Sequence, residues 1–179
     1  MDIIEEELKE SRGWEYKQLK LEVKKMKNEG KKFEEDFKNS IPTWCWCYRL
    51  KDSAGAWQGG ANTRFTARNI CDFMIMSKEV LWLLELKSTK NTSLPFSMIR
   101  ENQIKQLSKI KHPNIKAVFV VNFRKTEETF IVSAAKLKMF MVNTQRKSIP
   151  IAWFREHAKL IGQEKKITRY KYKLEEVFE

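Results

Sequence analysis

Two apolar runs that lie close together in the chain constrain its fold most strongly, because each carries charges that a buried strand rarely holds. The first run spans residues 69–76 and has Asp72 near its start. The second spans residues 80–90, and Glu85 and Lys87 interrupt it near its end. Alternate residues of a strand point to the same face, so Glu85 and Lys87 project together. If the two runs pair as a hairpin, Asp72 comes near Glu85.

This cluster of charges needs a compensating partner, because two carboxylates and an ammonium at the edge of an apolar sheet cost desolvation energy. A divalent metal supplies that compensation, and Mg²⁺ prefers hard oxygen ligands. Asp72 and Glu85 are the candidate ligands, together with the backbone carbonyl of Leu86. Lys87 is suited to orienting or deprotonating an attacking water, or to stabilising developing negative charge. Such a set of groups is what phosphodiester hydrolysis requires.

An Asp at a strand start and a Glu–Lys pair on an edge strand also occur without any function. A Glu-x-Lys pattern alone favours that interpretation. Here it follows an acidic helical stretch at 34–36 and belongs to a basic chain, with 35 Lys and Arg against 23 Asp and Glu and a net charge of +12. An excess of this size predicts a polyanionic partner, most often nucleic acid, rather than solubility alone.

The length and composition indicate one cytoplasmic domain. A chain of 179 residues can bury a sizeable core. It has no run of 18 apolar residues, so no membrane partner is expected. The N-terminus is acidic and lacks an apolar core, which argues against a secretory signal. Three cysteines, Cys45, Cys47 and Cys71, fit a reducing cytoplasm better than a disulfide framework.

The first two cysteines belong to an alternating stretch. Cys45 and Cys47 alternate with Trp44, Trp46 and Tyr48, which is typical of a strand with the cysteines on its inner face. A Cys-x-Cys pattern without a second pair of ligands is weak evidence for zinc.

Hydrophobic periodicity predicts a mixed α/β or α+β fold in the order α-β-β-β-α-β-β-α. An N-terminal helical extension is expected over residues 1–28, followed by a single domain over 29–179. The predicted helices are 31–39, 100–110, 134–143 and 154–160, and the predicted strands are 43–50, 70–77, 80–87, 116–123 and 129–133. A polar loop is predicted at 88–97, an extended segment at 148–153, and a strand followed by a helical turn at 167–178.

The spacing from Asp72 to Glu85-Leu86-Lys87 resembles the motif of the PD-(D/E)xK nuclease superfamily, with Cys71 in place of its proline. Residues 30 to about 160 resemble, more specifically, the RecU-type Holliday junction resolvases and their phage-encoded relatives. The matching stretches are 30–35, 48–52, 72–73, 85–89, 93–96, the helix bearing Gln103, and 148–151.

This resemblance implies a restriction-endonuclease-like core with a central mixed sheet flanked by helices. It also implies a homodimeric, Mg²⁺-dependent endonuclease, in which Mn²⁺ can substitute, that nicks branched DNA symmetrically. Glu34 corresponds to a further acid near the metal, and Glu35 takes its place if the register differs by one residue. Gln103 either positions a water or a phosphate, or is an ordinary surface glutamine.

The resemblance further implies that the irregular, basic segment at about 50–68 protrudes into the junction. Basic residues at its ends and within it suit phosphates, and its aromatic residues suit unpaired bases. The candidate DNA-binding residues are Arg49, Lys51, Trp57, Arg64 and Arg68, with Phe65 as a second aromatic and Gln103 from the following helix.

Two active sites are needed for symmetric cutting, so a homodimer is expected. Its candidate surfaces are the helix bearing Leu8, Leu19 and Val23 and the C-terminal segment 170–178. Two alternatives for the function stay open. One is another PD-(D/E)xK nuclease that acts on duplex or damaged DNA, and the other is a non-catalytic basic DNA-binding protein.

Overall fold

The computed structural model describes residues 29–50 and 69–179. Among these residues, a six-stranded mixed sheet lies at the centre and helices pack on its two faces. The strands are β1 (Trp46–Arg49), β2 (Phe73–Ser77), β3 (Val80–Thr89), β4 (Ser93–Pro95), β5 (Ile115–Phe123), β6 (Glu128–Ser133), β7 (Ser148–Pro150), β8 (Lys159–Ile161), β9 (Gln163–Lys166) and β10 (Arg169–Tyr172). The helices are α1 (29–39), α2 (Glu101–Leu107), α3 (Ala134–Val142), α4 (Ile151–His157) and α5 (Glu175–Phe178).

The strand order of the central sheet is β1-β2-β3-β5-β6-β8. Strands β1, β2 and β3 form an antiparallel meander, and β3 then pairs in parallel with β5. Parallel pairing requires a crossover connection, which α2 provides. Apart from the short β4, the order α1-β1-β2-β3-α2-β5 matches the predicted α-β-β-β-α-β order, with a central mixed sheet flanked by helices. The predicted fold class is therefore confirmed.

Alternate residues of β3 divide between two hydrophobic cores. Leu83 packs in the core that contains residues of α2, α3 and α4, which we call the α2 face. Leu84 packs on the other side of the sheet with Phe37 of α1, which we call the α1 face. Because side chains alternate along a strand, Glu85 and Lys87 project from the α2 face.

A hairpin of β9 and β10 is tied to α1 by a buried carboxylate. Asp36 is 4% exposed, and it accepts hydrogen bonds from the Arg169 Nε group and from the backbone N–H of Tyr170, the latter at 3.1 Å. The Ser40 hydroxyl donates to the Asp36 carbonyl at 2.7 Å and accepts from the N–H of Tyr172 at 3.0 Å. These contacts place the C-terminal part of the chain against the first core helix.

The C-terminal segment was one of the two expected dimer surfaces. Tyr172, Leu174 and Phe178 are instead buried in the core of the α1 face. Their side chains are therefore used within the chain itself. The other expected surface, on the helix with Leu8, Leu19 and Val23, lies outside the described residues, as does the rest of the predicted extension over 1–28.

The predicted helices 31–39, 100–110 and 134–143 and the five predicted strands are confirmed to within three residues at each end. Several shorter elements were predicted wrongly. The predicted polar loop at 88–97 contains the end of β3 and the strand β4, which pairs with β7. In the predicted extended segment at 148–153, α4 already begins at Ile151. The predicted helix 154–160 ends at His157, and Lys159–Ile161 adds β8 to the central sheet. Strands of three or four residues depend on distant pairing partners, so local periodicity does not reveal them.

The alternation over β1 is confirmed. Trp44, Trp46 and Tyr48 are about half exposed, whereas Cys45 and Cys47 are partly buried against the core of the α1 face. Within residues 29–50 and 69–179, no helix is long and apolar enough to span a lipid bilayer.

Asp36 and Glu35 share Arg169, but the Asp36 contacts predict that substituting Asp36 lowers the stability of the fold much more than substituting Glu35. Asp36→Asn turns part of a buried acceptor into a donor facing Arg169 and the N–H of Tyr170, so we expect a loss of about 1–3 kcal/mol in the free energy of unfolding. The Glu35 side chain is 61% exposed, so Glu35→Gln removes only a surface partner of Arg169 and should change the free energy of unfolding very little. Urea denaturation of the two variants beside the wild type measures the difference, and equal effects would contradict the anchoring role of Asp36.

Candidate active site

Just before β2 begins, Asp72 is held in place by hydrogen bonds to three other described residues. Its N–H donates to the Leu84 carbonyl at 2.9 Å, and its own carbonyl accepts from the N–H of Leu50 at 2.9 Å. Its side-chain Oδ2 accepts from the N–H of Leu86 at 2.7 Å. Since Phe73 pairs with Leu84, the register carries Asp72 to the position opposite Glu85. The expected hairpin and the approach of the two acids are therefore present.

Glu85 is a buried carboxylate in the middle of the sheet. It is 1% exposed and lies in register with Phe119 of the parallel strand β5. Its Oε1 accepts from the Lys87 Nζ at 2.5 Å, and the Lys87 side chain is 13% exposed. Gln103, on α2, is also buried and lies beside Glu85. Glu85 is therefore surrounded by two polar side chains and by Asp72.

The surroundings of Glu85 change its proton affinity. Burial raises the pKa of its carboxyl to about 7, and the nearby charge of Asp72 adds to this rise. The ammonium of Lys87 and hydrogen bonding with Lys87 and Gln103 act in the opposite direction on this pKa. The same surroundings act on Cys71. Burial and the charges of Glu85 and Asp72 raise the pKa of its thiol to about 12. At neutral pH Cys71 is therefore a neutral thiol, which makes it a poor nucleophile.

Two buried oxygen atoms at this site lack a hydrogen-bonding partner among the described residues. They are Oε2 of Glu85 and Oε1 of Gln103. A buried acceptor without a partner costs free energy, and a hard cation coordinated by oxygen would remove that cost. The donor set is carboxylate and amide oxygen, which suits Mg²⁺ or Mn²⁺ better than zinc. In the part of the chain that the structure describes, no three His, Cys, Asp or Glu side chains converge as a metal cluster. A cation here would therefore need backbone or amide oxygens beside the two acids.

The two candidate acids of α1 point to different partners. Glu34 accepts from the Arg49 Nη2 at 2.5 Å, and Arg49 lies in β1, next to the strand that follows Asp72. Glu35 accepts from Arg169 of β10 at 2.6 Å. Of the two, Glu34 therefore lies nearer in the sheet to the Asp72 end of β2, although α1 packs on the face opposite to Glu85 and Lys87. Its carboxylate is engaged by Arg49, and a role near a metal stays a prediction.

The remaining predicted site residues divide into those the structure describes and those it does not. Arg49 forms the ion pair with Glu34, and its side chain is 38% exposed. Gln103 is 2% exposed, so the interpretation as an ordinary surface glutamine is wrong. The other candidate DNA-binding residues lie outside the described residues, namely Lys51, Trp57, Arg64 and Arg68, together with Phe65.

Three polar side chains lie where β3 and β5 end, namely Ser88, Asn122 and Arg124, joined by hydrogen bonds of 2.8 and 3.1 Å. Ser88 belongs to the matching stretch 85–89, whereas the sequence did not group Asn122 or Arg124 with the site. Their proximity depends on the parallel register of β3 with β5, and no local pattern in the sequence indicates such a register.

Comparison with known proteins agrees with these features. Residues 49–174 match the model of the family described as RecU, Recombination protein U, and this range includes Asp72, Glu85, Lys87 and Gln103 but not Glu34. The chain is 32% identical over 166 residues to an SPbeta prophage-derived uncharacterized protein, YotM, of Bacillus subtilis strain 168, covering 82% of this chain and 83% of that one.

A solved structure is similar at a TM-score of 0.40 and 13% identity, over 63% of this chain and 80% of the other. It is that of Archaeoglobus fulgidus Hjc, a Holliday junction resolvase from an archaeal hyperthermophile. The family match covers well over half of the present sequence and contains the whole Asp72–Lys87 hairpin. The chain therefore belongs to the RecU family, and the predicted membership in this family is confirmed.

Proposed function

We propose that the protein is a Mg²⁺-dependent endonuclease that resolves four-way DNA junctions by paired phosphodiester cleavage, in recombination or phage DNA processing. The observation that carries this proposal is the buried Glu85 carboxylate, which has an oxygen without a partner and lies beside Asp72, Lys87 and Gln103. An apolar sheet retains such a carboxylate at a cost in stability, so a functional use is the simplest explanation. Family membership supplies the substrate class.

The candidate ligands of the metal are Asp72, Glu85 and the backbone carbonyl of Leu86. The N–H of Leu86 points to Asp72, and in an extended strand the carbonyl of the same residue points to the same side. The amide oxygen of Gln103 is a further oxygen near this position. Bound Mg²⁺ would polarise the phosphodiester and lower the pKa of a bound water. The protein contributes the fixed positions of these oxygens and the exclusion of bulk water around Glu85.

Lys87 is the candidate for the proton and charge chemistry. Its ammonium is held by Glu85, follows it by two residues on the same face, and is the more exposed of the two. In this position the ammonium orients the attacking water or donates to the phosphate oxygens as negative charge develops, and Lys87 would deprotonate the water only after losing its own proton. Glu85 thereby fixes Lys87 in one orientation, which favours reaction over a freely rotating ammonium.

The substrate contacts follow from the charge of the chain. A net charge of +12 favours phosphate binding, and Arg49 lies at the end of β1, close to Asp72. Lys51, Arg64 and Arg68 are proposed to bind phosphates and Trp57 to stack on bases. Cutting both strands of a junction with two-fold symmetry needs two such sites, so we propose a homodimer as the active form.

Substitution of the three hairpin residues should separate cutting from binding. Asp72→Asn, Glu85→Gln and Lys87→Ala should each lower the rate of four-way junction cleavage by roughly 100-fold or more. Binding of the same junction should persist because it rests mainly on phosphate contacts elsewhere. Cleavage in Mg²⁺ and in EDTA, with junction binding by gel shift, measures both quantities.

A matched control is Glu79→Gln, an exposed acid in the turn of the same hairpin, which should leave cleavage unchanged. A linear duplex of the same sequence tests the substrate class. Equal cutting of junction and duplex would contradict a resolvase, and unchanged cleavage by Asp72→Asn would contradict a nuclease site at this hairpin.

The raised pKa of Glu85 predicts how stability depends on pH in EDTA. Between its ordinary pKa of 4.5 and about 7, folded Glu85 keeps a proton that the unfolded chain has lost. The folded state therefore binds more protons, and the free energy of unfolding falls as the pH rises through this window, by up to about 3 kcal/mol. Glu85→Gln should remove this fall. Urea denaturation of both proteins at several pH values tests this, and parallel curves would contradict it.

Substitution of Gln103 should change the metal dependence of cleavage more than the affinity for DNA. Gln103→Leu removes an amide oxygen beside Glu85, so we expect the Mg²⁺ concentration for half-maximal cleavage to rise by roughly 10-fold or more. Gln106→Leu, an exposed position on the same helix, is the matched control. A titration with Mg²⁺ at fixed junction concentration compares them. A shift in junction affinity without a shift in metal dependence would instead indicate a DNA contact.

A further inference from the structure

An arginine outside the proposed catalytic set lies beside the end of the strand that carries it. The N–H of Arg124 donates to the Thr89 carbonyl at 2.9 Å, directly after the paired ends of β3 and β5. Its Nη1 donates to the Ser88 hydroxyl at 2.8 Å. Ser88 is the residue after Lys87. The guanidinium is therefore attached to the end of the Glu85–Lys87 strand.

Arg124 differs from three paired arginines, and it also differs from Arg100 and Arg146, which lack a carboxylate partner among the described residues but are exposed. Arg49, Arg155 and Arg169 each lie within 2.6 Å of a carboxylate oxygen. Arg124 is half-buried, and among the described residues no carboxylate lies within ion-pair distance of it. A partly desolvated guanidinium without a counter-charge costs free energy, so it is more typical of a site that binds an anion than of a structural contact.

The groups behind Arg124 hold it in place without neutralising it. The Ser88 hydroxyl donates to the Asn122 Oδ1 at 3.1 Å, and the Asn122 amide donates to the Thr129 hydroxyl at 2.9 Å. Thr129 donates to the Gln163 Oε1 at 2.6 Å. Every side chain in this hydrogen-bonded network is neutral, and every donor in it points away from the guanidinium. Asn122 and Thr129 are buried, so the network is rigid and leaves the positive charge available.

Arg124 and Lys87 flank the end of β3 from opposite sides. Lys87 projects from the α2 face, whereas Ser88, the next residue, carries the guanidinium on the α1 face. A DNA backbone that passes over this end of the sheet from one face to the other would meet Lys87 on the first face and Arg124 on the second.

We propose that Arg124, held by Ser88 and Asn122, binds the DNA phosphate next to the one that is cut. The planar guanidinium suits a phosphate better than an ammonium because it offers several N–H groups in one plane. Its role is to fix the position of the scissile phosphate relative to Lys87. This inference rests on the proposed nuclease function.

The salt dependence of junction binding tests this contact. The full chain is titrated against a synthetic four-way junction in EDTA, which prevents cleavage, at several salt concentrations. Arg124→Met should reduce the slope of log K against log salt by about 0.9, the value for one phosphate contact, and weaken binding. Arg124→Lys should retain the slope because the charge remains, but should cleave more slowly in Mg²⁺ because the hydrogen-bonded position is lost.

Arg155→Met is the matched control, because it removes the same charge from an arginine already paired with Glu128 at 2.6 Å. It should leave the slope unchanged. Arg124→Gln repeats the loss of charge while keeping a donor for Ser88, in case methionine impairs folding, which thermal denaturation monitors. A wild-type slope in both neutral variants of Arg124 would overturn the inference while leaving the nuclease proposal intact. A wild-type chain that binds no junction at all would overturn both.

Discussion

The burial of one carboxylate in the centre of an apolar sheet is the constraint on which the other features of the site depend. Glu85 lies between Leu84 and Leu86 with almost no exposure, so its charge must be stabilised locally or lost to protonation. Lys87 provides part of that stabilisation, and Asp72 works against it. The balance leaves a carboxyl whose pKa lies near neutrality and whose second oxygen has no protein partner among the described residues. Near neutral pH such a carboxyl can release its proton and coordinate a cation in its place.

Main-chain hydrogen bonds fix much of the geometry of this site. Asp72 is fixed through its N–H, its carbonyl and its carboxylate, each bonded to the main chain of a neighbouring segment. Two of those bonds go to Leu84 and Leu86, the residues on either side of Glu85. The distance between the two acids is therefore set by strand register instead of by side-chain packing. A slip of one residue would turn Glu85 toward the α1 face and separate it from Asp72.

Much of the fold was predictable from the sequence, because the long strands and α2 have strong periodicity and apolar content. The hairpin could be expected because two apolar runs are separated by a short turn, and Asp72 and Glu85 followed from the charges within them. The burial of Gln103 could not be predicted, since it depends on how α2 packs over the sheet. The choice between Glu34 and Glu35 depends on which arginine each meets, Arg49 or Arg169, and those partners are distant in sequence. The surroundings of Arg124 depend on a parallel pairing that no local pattern encodes.

The hydrogen bond from the N–H of Leu50 to the carbonyl of Asp72 has a consequence for how relatives of this chain can diverge. It closes the stretch between β1 and β2 at its base, so the two ends of that stretch are adjacent whatever its length. The entropy of closing a loop grows only slowly with the number of residues in it. Insertions or deletions there would therefore change the sheet and the spacing of the acids very little. Exchange of this stretch would therefore leave Asp72 opposite Glu85.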